Sequence, residues 1–312
     1  MCCLFGMIDY RNNFTGRQKS KMLSVLAKEC EARGTDATGI AYHSGGKLQI
    51  YKRPLPAHRM KFRIPDRVSV IMGHTRLTTQ GNAKKNQNNH PFSGSTPAGP
   101  FALAHNGVLY NDHWLRNSLK LPKTNIETDS YVAAQLIEQQ NALDFASLAN
   151  MAEKVEGSFC FTVLDADDSL YFIKGDNPLC LYHYPRLGLY LYASTEAILT
   201  KAIRRMGRHL GFHEKVDLDD GDILKISAGG KQERDEFDAS TLFFRYCHPY
   251  HGAFSFLDSR CQAKTASIED TYIEDLKTAA QYYGYDEHCI DQWLEDGFST
   301  DDIEDFLYYG EM

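Results

Sequence analysis

This 312-residue sequence lacks long apolar runs: none approaches the roughly 18 residues that a membrane-spanning helix requires. The amino terminus, MCCLFGMIDYRNN, also lacks the basic start and long apolar stretch of a signal peptide. We therefore expect a cytoplasmic protein that has no membrane partner. With 43% hydrophobic residues, the chain has ample material for a core.

The cysteines lack any pattern, with no C-x-x-C motif and no repeated spacing. This indicates neither a disulfide framework nor a zinc site, so we expect most of them to be small core residues and expect no metal or cofactor. A phosphate-binding G-x-x-x-x-G-K-[ST] loop is also missing. The eight cysteines are Cys2, Cys3, Cys30, Cys160, Cys180, Cys247, Cys261 and Cys289.

Basic residues are almost missing from the last part of the chain. Residues 268–312 contain 14 acidic residues and one basic residue, Lys277, whereas the whole chain has a net charge of −7. Such a shift indicates a domain boundary, and the acidic end argues against binding to nucleic acid there.

Short β-type runs bounded by Gly, Asn, Asp or Pro dominate the first two-thirds, and a few amphipathic helical patterns lie between them. This predicts an α+β layered domain. The predicted strands are Cys3–Ile8, Thr38–Tyr42, Leu48–Tyr51, Val68–Met72, Phe101–Ala104, Ser158–Leu164, Leu170–Ile173, Leu179–Tyr184, Leu189–Ala193 and Asp222–Ile226. The predicted helices are Gln18–Arg33, Asp129–Glu138, Asp144–Val155 and Thr195–Met206, followed after an aromatic, irregular stretch by Ile268–Tyr282, Glu287–Glu295 and Thr300–Tyr309.

Residues 74–100 are polar, rich in Gly, Asn and Pro, and have no periodicity. A long loop of this kind inside a compact domain is either functional or disordered.

The second residue could carry chemistry. Removal of Met1 would leave Cys2 with a thiol and a free α-amine, and the amine, with a reference pKa near ~8, could take the thiol proton.

A cysteine that attacks a carbonyl carbon needs donors for the developing oxyanion. Asn106 and Gly107 follow an apolar run and could supply them, because glycine allows a close backbone approach. The alternative is a plain Asn-Gly hairpin turn.

Two charged residues could hold the amino-acid end of a substrate. Arg76 could bind a carboxylate through two parallel hydrogen bonds, and Asp129 could bind an α-ammonium group. The alternatives are a surface arginine and a helix N-cap, since Thr128-Asp129 opens a helical pattern.

Nine motifs occur in one order along residues 2–230, and together they resemble the class II glutamine amidotransferases, which are N-terminal-nucleophile hydrolases. The motifs are MCCLFG at the start, RGTDATGIA at 33–41, GHTRLTTQG at 73–81, NNHPF at 88–92, AHNGVLYN at 104–111, TDS at 128–130, EGSFCF at 156–161, DNPLCL at 176–181 and YASTEAIL at 192–199.

The resemblance implies a four-layer αββα sandwich that hydrolyses the side-chain amide of glutamine. It implies that Cys2 is the nucleophile and that Asn106 and Gly107 form the oxyanion hole. It further implies that Arg76 and Asp129 bind the α-carboxylate and α-amine, with Thr79 close to the same site. The implied domains are a type 2 amidotransferase domain over 2–232, an irregular connector over 233–266 and an acidic three-helix extension over 267–312.

Three residues depart from the family pattern. Cys3 stands where the family usually has glycine, and we expect it to point into the core. Gln80 and Leu77 stand where sugar-phosphate-synthesising relatives have histidine and a tryptophan thought to gate ammonia. These two changes weaken any inference that ammonia passes to a hexose phosphate.

About 80 residues follow the resembling region, too few for the synthase domains of the large relatives. Three interpretations stay open. The chain could be a glutaminase that passes ammonia to a separate synthase partner protein, a stand-alone hydrolase of γ-glutamyl amides or peptides, or a non-catalytic binding or regulatory module. The sequence does not indicate an oligomeric state.

Overall fold

The computed structural model describes residues 2–207, 210–240, 242, 273, 277, 280, 285–286, 288–296, 298 and 303. The chain divides into two compact units, residues 1–250 and 251–312. The predicted domain boundaries stay predictions. Among the described residues, no helix is both long and apolar enough to span a membrane.

The first unit contains two antiparallel sheets. The seven-stranded sheet has the order β11-β9-β10-β1-β4-β2-β3, and the six-stranded sheet has the order β13-β12-β8-β7-β6-β5. In chain order the strands are β1 (Cys3–Asp9), β2 (Ala37–Ser44), β3 (Lys47–Arg53), β4 (Val70–Arg76), β5 (Phe92–Thr96), β6 (Gly99–Leu109), β7 (Gly157–Leu164), β8 (Leu170–Lys174), β9 (Cys180–Tyr184), β10 (Leu189–Ala193), β11 (Glu214–Lys215), β12 (Asp222–Ile226) and β13 (Gln232–Glu236).

Within the described residues, the α-helices whose bounds are known in this unit are α1 (Gly16–Glu29), α2 (Asp112–Ser118), α3 (Tyr131–Gln140), α4 (Phe145–Lys154) and α5 (Glu196–Arg205). One apolar cluster joins α1 and α5 to the seven-stranded sheet, a second joins α3 and α4 to the six-stranded sheet, and a third lies between the sheets. The predicted four-layer αββα sandwich is therefore confirmed.

The start of α1 is fixed by local hydrogen bonds and one buried ion pair. Thr15 and Gln18 form a reciprocal capping box at its first turn. Lys19 Nζ lies 3.2 Å from Asp9 Oδ2, with both side chains fully buried, and it also donates to Asn12 Oδ1 and the Val68 carbonyl. These bonds attach α1 to the end of β1.

The structure corrects the predicted 74–100 loop. β4 extends to Arg76, β5 begins at Phe92, and β6 begins at Gly99, so the connection between strands is restricted to residues 77–91. Its only regular part is a 3₁₀ turn at Asn86–Asn88. β5, β11, β13 and α2 were not predicted.

In the second unit the described residues contain α6 (His288–Glu295), which matches the predicted helix at Glu287–Glu295. Ile290 packs there with Ala280 and Ile303. Most of the predicted helices Ile268–Tyr282 and Thr300–Tyr309 lies outside the described residues.

Candidate active site

Cys2 directly precedes β1 and is buried beside the end of β4. Cys3 pairs with Thr75 in the β1–β4 ladder, which places Cys2 next to Arg76. The Cys2 thiol donates to the Leu77 carbonyl at 3.4 Å. Arg33 Nε donates to the Cys2 carbonyl at 3.1 Å, which fixes the backbone of the candidate nucleophile.

Strand alternation brings the candidate residues to one space between the sheets. Leu4 of β1, Met72 of β4 and Ala104 of β6 belong to the apolar cluster between the sheets. Because side chains two residues apart share a face, Cys2, Arg76 and Asn106 point into the same layer. Cys3 belongs instead to the cluster beneath α1, so its predicted core position is confirmed.

One hydrogen bond joins the two sheets at this point. His74 Nε2 of β4 lies 2.9 Å from the carbonyl oxygen of His105 in β6. Arg76 is two residues beyond His74, and Asn106 directly follows His105. The bond therefore fixes the separation of the strands that carry these two side chains.

The electrostatic surroundings keep the Cys2 thiol protonated. Burial raises the pKa of the Cys2 thiol, while the positive charge of Arg76 opposes this rise. The negative charge of Asp129 raises the same pKa. Both charges thus act on the sulfur, and the thiol needs a base before it can attack.

Asn106 is fully buried, yet neither Oδ1 nor Nδ2 has a hydrogen-bond partner among the described residues. An unsatisfied buried amide costs about 1–3 kcal/mol, so its presence calls for an explanation. A bound group that the amide contacts would supply one.

Gly107 continues β6 opposite Phe159 and does not form a hairpin turn, so that interpretation is wrong. Its φ of 143° lies in the region that favours glycine, and a Cβ there would lie 1.9 Å from the Ser158 carbonyl oxygen. Only glycine fits at this position.

Arg76 is buried at the end of β4, which excludes the surface-arginine interpretation. Its Nη1 donates to Asn89 Oδ1 at 2.7 Å, and its Nη2 donates to the Gln80 carbonyl at 2.5 Å. A guanidinium carries more N–H groups than these two bonds use, so Arg76 can bind an anion while it holds the 77–91 connection.

Asp129 is also buried, and its Oδ2 accepts from the backbone N–H of Leu109 at 2.7 Å. The helix α3 begins at Tyr131 with Ser130 at the N-cap position, so the N-cap interpretation of Asp129 is wrong. The bond to Leu109 attaches Asp129 to the end of β6, close to Asn106 and Gly107 in sequence.

Thr79 is exposed in the 77–91 connection. No contact with the other candidate residues is seen in the described part of the chain. Leu77, 42% exposed, lies beside it. The structure thus groups five of the six candidates through strand placement, electrostatics and hydrogen bonds, and leaves Thr79 apart.

Five supporting residues were not identified as site residues from the sequence. Arg33 holds Cys2, and Asp36 Oδ2 accepts from the Thr78 N–H at 2.8 Å, which holds the segment beside the thiol. The RGTDATGIA motif contains both residues. Its match to the family pattern was the signal that could have identified them. The three histidines His74, His90 and His105 form the other group.

These histidines are buried and neutral. Burial lowers the pKa of His74 to about 3 and that of His105 to about 4, and it lowers the pKa of His90 well below its usual value. His105 Nδ1 contacts Ser130 Oγ at 2.8 Å, while the rings of His74 and His90 lie 4.2 Å apart. The group therefore supports the strands and is not a charged cluster.

Metal-binding groups of three or more His, Cys, Asp or Glu residues are not found in the part of the chain that the structure describes. The candidate site consists of a thiol, amides, a guanidinium and a carboxylate. This set fits nucleophilic attack on a carbonyl and binding of an amino-acid end.

Comparison with known proteins agrees with the family resemblance that the sequence motifs indicate. A family described as "Glutamine amidotransferase domain" matches residues 74–201. The glutamine--fructose-6-phosphate aminotransferase of Staphylococcus aureus is 30% identical over 250 residues, which cover 77% of this chain and 39% of that protein. The Streptococcus pyogenes protein of the same name is 27% identical over 254 residues, with the same two coverages.

The chain carries a class II glutamine amidotransferase domain. A solved structure of glutamine phosphoribosylpyrophosphate amidotransferase from B. subtilis has the same fold as this amidotransferase domain, with a TM-score of 0.58 and 21% identity. The structural match covers 76% of this chain and 49% of the solved chain. The chain spans about two-fifths of the length of the curated aminotransferases and half of the solved chain.

Proposed function

We propose that this amidotransferase domain hydrolyses the side-chain amide of glutamine to glutamate and ammonia through Cys2. The observation that carries the proposal is the buried amide of Asn106, which lacks a hydrogen-bond partner among the described residues and faces the same layer as the Cys2 thiol. Such a donor next to a nucleophile suits a developing oxyanion.

The reaction begins once Met1 is removed and Cys2 carries the α-amine. That amine, directly or through a water, takes the thiol proton, and sulfur attacks the carboxamide carbon. The carbon–nitrogen bond then breaks, and nitrogen leaves as ammonia after it receives the proton. The resulting γ-glutamyl thioester is hydrolysed by water, which releases glutamate and restores the thiol.

The remaining residues bind and stabilise. Asn106 Nδ2 and the Gly107 N–H donate to the oxyanion, Arg76 holds the α-carboxylate, and Asp129 holds the α-ammonium group. Thr79 lies in the connection that would close over the substrate, so we assign it a contact that forms only on closure.

We further propose that the ammonia serves an acceptor on a separate protein. The aminotransferase names of the relatives support a synthase partner, although the acceptor substrates in those names belong to those proteins. A cytoplasmic location stays a prediction of the sequence.

Trapping of the thioester tests the hydrolysis. Mature protein incubated with glutamine and hydroxylamine should form γ-glutamyl hydroxamate, and Cys2→Ala should form none. Cys3→Ala is the matched control, because Cys3 is the adjacent cysteine and faces the opposite layer. Equal hydroxamate from wild type and Cys2→Ala would contradict the proposal.

Ammonia release tests the acceptor. We expect slow release by the isolated chain and faster release when the synthase partner is present. Efficient cleavage of a γ-glutamyl peptide, faster than that of glutamine, would instead assign the chain to the γ-glutamyl hydrolases.

A further inference from the structure

A cavity of about 730 Å³ lies beside α2 and the turn that follows it, outside the candidate active site. Its wall contains three cationic side chains and no acidic one. A wall of one sign focuses the electrostatic potential and attracts the opposite charge. The lining residues are Arg116, Asn117, Lys120, Leu121, Pro122, Lys123, Thr124 and Asn125.

Lys120 occupies a backbone position where glycine is the usual residue. Its φ is 52°, and it follows α2 in a helix-ending motif in which the Leu121 N–H bonds to the Arg116 carbonyl and the Lys120 N–H bonds to the Asn117 carbonyl. A lysine in the left-handed region is strained. Placing its side chain at the cavity therefore costs conformational free energy that a glycine would not cost. The same two bonds occupy carbonyl groups that would otherwise repel an anion.

The cations of this wall are largely available. In the described part of the chain, neither Lys120 nor Lys123 forms an ion pair. Arg116 Nη2 donates to the Thr128 carbonyl at 2.7 Å and lies 3.7 Å from Asp112 Oδ2, but its buried Nε has no partner among the described residues.

We propose that this cavity binds a small phosphate monoester. A guanidinium and two ammonium groups complement the charge of a phosphoryl group and supply hydrogen-bond donors to its oxygens. The volume exceeds what a phosphoryl group alone fills, so the cavity also has room for the organic part of such a molecule.

The cavity is connected to the candidate active site by hydrogen bonds. Arg116 bonds to the carbonyl of Thr128, the residue before Asp129. Gln87 Nε2, within the 77–91 connection, donates to the Asn125 carbonyl at 3.0 Å. A phosphate ligand that holds Arg116 and Asn125 would therefore change the affinity for glutamine. This consequence rests on the proposed function.

Titration calorimetry on the full chain tests the binding without any turnover. The probes are glycerol 3-phosphate, inorganic phosphate and uncharged glycerol, each at low and raised NaCl. We expect glycerol 3-phosphate to bind more tightly than inorganic phosphate, glycerol not to bind, and added salt to weaken both phosphate probes.

Lys120→Gly and Lys123→Gln should each weaken the binding of glycerol 3-phosphate by about tenfold, the loss expected for one charge-assisted contact. Lys120→Gly fits the backbone, so loss of folding cannot explain a weaker titration. Lys47→Gln, an exposed lysine at the start of β3, should bind like wild type.

Equal affinities of wild type, Lys120→Gly and Lys123→Gln would overturn the site, as would no binding of either phosphate probe. If inorganic phosphate bound more tightly than glycerol 3-phosphate, the ligand would be the free anion, and the proposal of a phosphate monoester would be overturned. A normal titration combined with an inactive enzyme would count against the proposed function alone.

Discussion

The buried amide of Asn106 has no hydrogen-bond partner in the described part of the chain, so function and stability should separate there. Replacement by leucine keeps the number of side-chain heavy atoms and removes the two polar atoms that lack a partner among the described residues. We expect Asn106→Leu to leave the free energy of unfolding unchanged or raise it by about 1 kcal/mol. The same change should lower kcat for glutamine about 10²–10³-fold through loss of an oxyanion donor.

Asn111 provides the matched control for this experiment. It is also buried, but its Nδ2 donates to the Lys154 carbonyl and its Oδ1 accepts from the Glu156 N–H, both at 2.9 Å. Asn111→Leu should therefore destabilise the protein by about 1–3 kcal/mol. Urea unfolding measures both variants. A large destabilisation in Asn106→Leu would show that its amide has a structural partner.

Gly107 should tolerate no side chain. In Gly107→Ala the new Cβ would meet the Ser158 carbonyl oxygen of β7 at 1.9 Å, with φ at 143°. We expect a loss of about 2–4 kcal/mol in unfolding free energy, measured by urea denaturation. Gly45→Ala is the control, because its φ is 60° with no atom within 4 Å, and it should cost only about 1 kcal/mol. Equal losses would refute a steric cause.

At the scale of elements, the sequence predicted the strands that carry apolar alternation and missed those that do not. β13 is exposed along its whole length and reads QERDE, so it has no apolar face to detect. β6 was predicted only as Phe101–Ala104, because its later part, His105-Asn106-Gly107, is polar or small. His105 and Asn106 are nevertheless buried, because His105 faces the α3 layer and Asn106 faces the opposing sheet. No local pattern contains these contacts.

Prediction of the candidate site was limited in the same way as prediction of the strands. The motifs pointed to Cys2, Asn106, Gly107, Arg76 and Asp129, because their groups are the ones that the proposed hydrolysis uses. The supporting bonds, such as Arg33 to Cys2 and His74 to His105, join elements far apart in sequence. They depend on the packing of the two sheets and could not be predicted from spacing.

The neutral histidines between β4 and β6 should make stability depend on pH. Burial lowers the pKa of His105 from 6.5 to about 4, so between these values the unfolded chain binds a proton that the folded chain does not. The contribution is fully present above pH 6.5 and is lost as the pH falls through about 4. Unfolding free energy should therefore fall with decreasing pH across this window.

Urea unfolding at several pH values measures the slope. His105→Gln should reduce it by about 1 kcal/mol per pH unit. The exposed His113→Gln should leave the slope unchanged. An unchanged slope in His105→Gln would show that His105 is charged in the folded protein.

At the scale of the whole molecule, the layered arrangement was accessible because the motif order matched one family over most of the chain. The order of strands within each sheet was not, since pairings such as β1 with β10 and β4 join distant segments. The site lies between the two sheets, at the end of the apolar layer. The proposed hydrolysis therefore requires Cys2 to be the mature amino terminus in that position.

The most direct test is intact-mass analysis together with ammonia release. We expect that Met1 is absent, that mature protein releases ammonia from glutamine, and that Cys2→Ala releases none while Cys3→Ala releases it. Glutamine should also protect Cys2 from alkylation. Ammonia release at the same rate by Cys2→Ala, or by protein that retains Met1, would contradict the role of Cys2 as an N-terminal nucleophile.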